Sequence, residues 1–115
     1  MAPEKNALSG NTSMLVLKLL DEKDMYGYQI IEELAKRSEN VFRLKTGTIY
    51  PLLHNLEKEK LISSYDEKAD NLRVRKYYKL TSKGSGFLQK AQADWREYTN
   101  AVALVMEGGL GYVLE

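Results

Sequence analysis

Apolar residues recur along this chain in three helical stretches, a strand-like pair and one long closing run. The first helix is predicted from about Asn11 or Thr12, either of which can cap it, to about Glu22. Met14, Leu15, Val16, Leu17, Leu19 and Leu20 spread apolar side chains nearly all round it, with Lys18 the main interruption. A small domain rarely buries every side of such a helix, so packing inward on its own core and outward on a partner subunit is expected. After a break at 21–24, a second helix is predicted over 26–38, with Tyr28, Ile31, Leu34 and Ala35 as its buried stripe. Glu32, Glu33, Lys36 and Arg37 then face water. Gly27 near its start implies a close backbone approach, to the first helix or to a phosphate. Val41, Phe42 and Leu44 tie the following connection onto the core.

The third helix is predicted from Thr46, as its N-cap, to about Lys60. Ile49, Leu52, Leu53 and Leu56 fall at i, i+3, i+4 and i+7 and make one apolar stripe. The opposite face carries Gly47, Pro51, His54, Asn55 and Lys58, with Thr48 and Tyr50 on its shoulders. Pro51, one turn in, should bend the helix or delay its regular start. Residues 61–65 and 73–80 read as strands around a polar tip at 66–71. Along the second strand Val74, Tyr78 and Leu80 share one face, interrupted by Lys76; Arg73, Arg75, Tyr77 and Lys79 share the other. Of Tyr77 and Tyr78, one is expected in the core beneath the ribbon and one at its surface.

Thr81 can cap a last helix that runs to about Met106, where Gly108 and Gly109 stop it. Leu88, Ala91, Trp95, Tyr98, Val102 and Val105 step by three and four over ~37 Å of helix, a heptad seam that reads as a dimerisation arm. The expected fold is mainly α with a small β-hairpin: a winged helix-turn-helix over residues 1–82, then a dimerisation helix and tail over 83–115.

Composition narrows the function classes. The chain has 115 residues and no cysteine, so a disulfide framework, a thiolate metal site and a thiol nucleophile are out. No apolar run approaches ~20 residues and the amino terminus is polar, so neither a membrane span nor a signal peptide is expected and a cytoplasmic location follows. Net charge is only +1, but residues 43–83 hold ten Lys/Arg against five Asp/Glu, whereas the remainder holds seven against eleven. A basic middle on an acidic chain is the footprint of a face that meets a polyanion. His54 is the only histidine, and no glycine-rich phosphate loop, nucleophile–base pair or apolar carboxylate pair accompanies it. Neither an enzyme, a metal site nor a cofactor is expected.

Three strings then carry a family resemblance: YGYQI (26–30), TGTIYPLLHNLEKEKLI (46–62) and RKYYKLTSKG (75–84). In order and spacing the chain resembles the PadR-like transcriptional regulators over nearly its full length. The resemblance implies a homodimeric repressor that binds operator DNA and releases it when a small, often aromatic, molecule occupies the protein. The shortness of the chain places it nearest the compact subgroup with one carboxy-terminal helix, some members of which resemble multidrug sensors. By that likeness Trp95 and its dimer mate would sandwich a flat ligand, with Met14, Phe87 and Ala91 as further pocket residues. Two departures stand out. The tip EKADNL (67–72) lacks the glycines usual in the family, and the end GGLGYVLE (108–115) is not the common polar tail.

The DNA-binding candidates are Thr46, Thr48, Tyr50, His54, Asn55 and Lys58 on the third helix and Arg73, Arg75 and Lys76 on the ribbon, completed by Tyr26 and Lys45. Asn pairs bidentately with adenine, while His, Thr and Tyr hydrogen-bond bases or phosphates, and a basic ribbon lies along the backbone. Tyr50 reads equally as a packing residue at the core edge, and the basic strand as a solvated face. Trp95 is either a bulky seam residue or one wall of a ligand site beside the gap left by Ala91. An alternative to DNA binding stays open: a winged-helix module that docks on a protein partner without sequence-specific DNA binding.

Overall fold

In the computed structural model the backbone is described for residues 2–68 and 73–108, and side-chain surroundings from residue 11 onward. The elements run α1 (Ala2–Glu22), β1 (Met25–Tyr26), α2 (Gly27–Arg37), α3 (Thr46–Lys58), β2 (Ile62–Lys68), β3 (Val74–Leu80) and α4 (Ser82–Met106). β3 is the central strand, with β1 and β2 antiparallel on either side. This is a winged helix-turn-helix followed by a long helix, as the hydrophobic pattern predicts.

The core is one cluster. Val16, Leu17, Leu19 and Leu20 of α1 meet Met25, Ile30, Leu34, Ile49, Leu53, Leu56, Leu61, Ile62, Tyr78 and Leu88. All four α1 residues are at most 3% exposed within a single chain. The expectation that α1 needs a partner to cover its outer side therefore fails for this stretch: α1 packs against α2, β3 and α4 at once. Of the six apolar residues expected to ring α1, Met14 and Leu15 remain half-buried. α1 also begins upstream of the expected caps, and Thr12 is a buried interior residue of the helix rather than its cap.

Other differences are of phase and reach. In α2 the buried positions are Gly27, Ile30 and Leu34; Tyr28, expected inside, is 59% exposed. In the α2–α3 connection Phe42 and Leu44 pack on the core, whereas Val41 points to water. Thr46 is the first helical residue of α3, the N-cap position falling on Lys45 with no side-chain cap. Pro51 forfeits an amide hydrogen bond, yet α3 continues through it to Lys58. Val74 shares its strand face with buried Tyr78 but lies beside the ribbon tip, beyond the reach of the core, and is exposed. Residues 69–72 of the tip and 109–115 of the tail lie outside the described residues, so the two departures from the family pattern are described only at their edges.

The wing root is pinned to α4 through Thr81. Its hydroxyl oxygen accepts from the Gly84 amide at 3.0 Å and donates toward the Lys60 carbonyl at 2.7 Å, while its amide donates to the Leu61 carbonyl at 3.1 Å. Gly84 lies so close to that carbonyl that a Cβ there would overlap it and sit 2.7 Å from Leu80 Cδ1. Elsewhere Arg37 joins helix ends, donating to Glu22 at 2.6 Å and to Glu33 at 2.9 Å, which holds both carboxyls below the usual range.

Candidate nucleic-acid interface

Burying Ile49, Leu53 and Leu56 turns the other side of α3 outward. Lys45, Thr46, Thr48, Tyr50, His54, Asn55 and Lys58 are all solvent-exposed, so the seven candidates on and before α3 form one surface. The surface is polar and, apart from the Tyr50 ring, made of side-chain types that can hydrogen-bond base edges or phosphates. Tyr50 has a second contact: its ring occupies the space a Gly27 Cβ would fill, 2.5 Å from its Cζ. Within the chain, the close approach expected at Gly27 is to the Tyr50 ring rather than to α1. This makes Tyr50 both a packing residue and an edge of the exposed face.

Between the start of α2 and the wing lies a groove of about 580 Å³, lined among others by Tyr26, Tyr28, Tyr50, Arg73, Arg75 and Lys76. Its mouth has three cations and one acid, Glu32. Tyr28 was missed as a member of this surface because helical spacing placed it in the core. The signal was present in YGYQI, where the two tyrosines flank a glycine.

The sheet face opposite buried Tyr78 carries an aromatic ladder. β1 pairs with β3 so that Tyr26 opposes Tyr77, and β2 sets Tyr65 opposite Tyr77 on the other side. The Tyr26 and Tyr77 rings meet edge to face at 5.4 Å, and Tyr65 stacks on Tyr77 at 5.8 Å. The Arg75 guanidinium carbon lies 4.4 Å from the Tyr26 ring centroid. Tyr65 donates its hydroxyl to Asp24 at 2.7 Å, and that bond pushes the Tyr65 pKa up to about 12.

The charges of the wing are not all outward. Lys76 Nζ lies 4.0 Å from Glu57, whose other carboxylate oxygen accepts from the Ser64 hydroxyl at 2.5 Å. Across the ladder Lys76 opposes Asp66, and Arg75 opposes Glu67. Arg75 and Lys76 thus each have a carboxylate as a cross-strand neighbour, which composition alone did not reveal. Tyr78, beneath Lys76, is the tyrosine that fills the core, and burial raises its pKa.

The four candidate ligand residues do not share one cavity on a single chain. Met14 and Trp95 line a groove of about 240 Å³ between α1 and α4, whereas Phe87 and Ala91 line another of about 440 Å³. Trp95 is 40% exposed and its ring stacks near Tyr98 at 6.0 Å. Lys18 and Arg96 also line the Trp95 groove, so it carries two cations. Lys18 was legible as the one break in the apolar run of α1, but its direction was not. Among the described residues no group of three or more His, Cys, Asp and Glu is placed to hold a metal ion, and no helix is long and apolar enough to cross a membrane.

The comparisons with known proteins converge on the class that the fold defines. The sequence model of the Transcriptional regulator PadR-like family matches residues 16–90. The chain is similar to uncharacterized protein X of Lysinibacillus sphaericus, 36% identical over 101 residues, covering 88% of this chain and 93% of that protein. It superposes on a PadR-like transcription factor from Bacteroides fragilis with a TM-score of 0.76 at 30% identity, over 91% of this chain and 99% of that one. A transcriptional regulator from Clostridium thermocellum gives a TM-score of 0.78 at 26% identity, over 85% and 95%. This chain belongs to the PadR-like family of transcriptional regulators. Regulators of this class work by binding DNA rather than by turning over a substrate.

Proposed function

We propose that this protein is a transcriptional repressor that binds a palindromic operator as a homodimer through residues 1–82, with residues 83–115 as its dimerisation helix and tail. The observation that carries the reading is the split of α3 into a buried apolar side and an exposed polar side bordered by the basic wing. In this reading α3 enters the major groove. Asn55, His54 and Thr48 meet base edges, while Lys45, Thr46, Lys58, Arg73, Arg75 and Lys76 meet phosphates. The amino terminus of α2 at Gly27 comes alongside the backbone, where a helix amino terminus favours an anion.

The dimer is supported by α4, whose Trp95, Tyr98, Val102, Leu104, Val105 and Met106 are all exposed on a single chain. A helix does not leave such a run to water without a partner for it. A second copy packed along this stretch brings two α3 helices to successive major grooves ~34 Å apart. A planar aromatic effector between Trp95 and its mate would alter the helix separation and release DNA. The groove beside Met14 supports such a site.

The test is a gel shift on duplexes selected from a random library, repeated at several salt concentrations. Operator binding requires retention that falls steeply with salt, because phosphate contacts release counterions. Failure to shift any duplex, even at low salt, would instead favour the protein-docking alternative.

A further inference from the structure

Resting on that reading of the wing, we infer that Tyr26 is a positioning residue: its ring holds the Arg75 guanidinium ready for a DNA phosphate, without itself touching DNA. Arg75 sits on β3 two residues before Tyr77, and Tyr77 opposes Tyr26 across the β1–β3 pair. The diagonal neighbour of Tyr26 is therefore Arg75, and the guanidinium carbon lies 4.4 Å above the ring centroid. A guanidinium stacked on a ring keeps its N–H groups in its own plane, directed away from the ring and open to a phosphate.

The ring also decides between two partners. Glu67 is the direct cross-strand neighbour of Arg75, close enough in register to capture its charge. An arginine drawn onto Glu67 would present a neutralised pair to the phosphates. The Tyr26 ring offers a competing seat on the other side, next to the groove lined by Gly27, Tyr28 and Tyr50. The seat is itself braced, since Tyr77 meets Tyr26 edge to face at 5.4 Å and stacks on Tyr65, which donates to Asp24 at 2.7 Å. Nothing in this arrangement requires the Tyr26 hydroxyl, so phenylalanine should serve as well.

The experiment is a double-mutant cycle read by DNA affinity, on Tyr26→Leu, Arg75→Gln and the pair, with Tyr26→Phe beside them. Tyr26→Leu should weaken binding by about two- to fivefold when Arg75 is present and by nothing measurable when it is Gln, while Tyr26→Phe binds like wild type. A second readout needs no substitution: in the free wild-type protein the Arg75 δ-methylene protons should show an upfield ring-current shift by NMR. Equal losses from Tyr26→Leu in both backgrounds would overturn the positioning role in favour of direct contact. So would a Tyr26→Phe protein as weak as Tyr26→Leu, or unshifted Arg75 protons. Wild-type protein that binds no DNA would sink the regulator reading and this role together. A binding wild type with an additive cycle would sink this role alone.

Discussion

Gly84 and Gly86 lie two residues apart near the start of α4 and make opposite demands. A Cβ on Gly84 meets the Leu61 backbone carbonyl, which cannot yield without moving the wing root; a Cβ on Gly86 meets nothing within 4 Å. Gly84→Ala should therefore cost about 1–3 kcal/mol of stability through overpacking. Gly86→Ala should add about 0.5–1 kcal/mol by removing unfolded-state freedom from a helical position. Urea denaturation of the two variants checks both signs. At this scale the sequence was legible wherever a side chain had one plausible environment, as for Ile49, Leu53 and Leu56. It misled where two phases competed. Ile30 and Ile31 are adjacent, and Gly27 contributes no side chain to a stripe, so Tyr28 could be drawn into the core when it lies outside. Tyr50 was open between packing and surface because it does both.

Among elements, the joint between the wing and the α1–α2 corner was the least legible. β1 is two residues long, too short to leave a period, and it forms only because β3 offers it an edge. The hydrogen bond from Tyr65 to Asp24 spans the same joint and links residues 41 apart in sequence. It predicts a pH dependence. The Tyr65 pKa is raised to about 12 in the folded protein, above its ordinary value of 10.0, so its stabilisation is fully present below pH 10 and is lost as pH climbs toward 12. The difference in urea midpoint between wild type and Tyr65→Phe should accordingly shrink across that window; a constant difference would argue that the bond contributes nothing. For the wing itself, Arg75→Ala should weaken binding to all duplexes alike and flatten the log–log salt slope by about 0.9, the share of one phosphate. An unchanged slope would remove Arg75 from the backbone contacts.

The whole molecule is governed by the unpartnered half of α4. Its heptad spacing was legible, but only Leu88 of that series is buried by the chain itself; Tyr98 and Val105 are 63% and 78% exposed. Replacing Val102 and Val105 by Glu places like charges in the proposed seam, and light scattering should then report a monomer in place of a dimer. An unchanged dimer would take α4 out of its assigned role. If Trp95 and its mate flank an effector, titration with planar dyes and phenolic acids should quench the sole tryptophan and lower operator affinity by about 1–3 kcal/mol, the usual scale of coupling between two sites. Quenching without loss of DNA binding would break that link. The effector site was the part least readable from sequence, because it depends on how two copies of α4 meet.

The central claim is that the exposed side of α3 reads bases, and Asn55 offers the most direct measurement of it. Wild-type and Asn55→Ala proteins would be compared on the palindrome recovered from a random library and on unrelated duplex, at one salt concentration. The account predicts a loss of about 1–3 kcal/mol on the palindrome, relaxed preference at one base pair per half-site, and unchanged affinity for unrelated duplex. Equal losses on both duplexes would contradict it, since a residue that contacts only the backbone weakens all sequences alike.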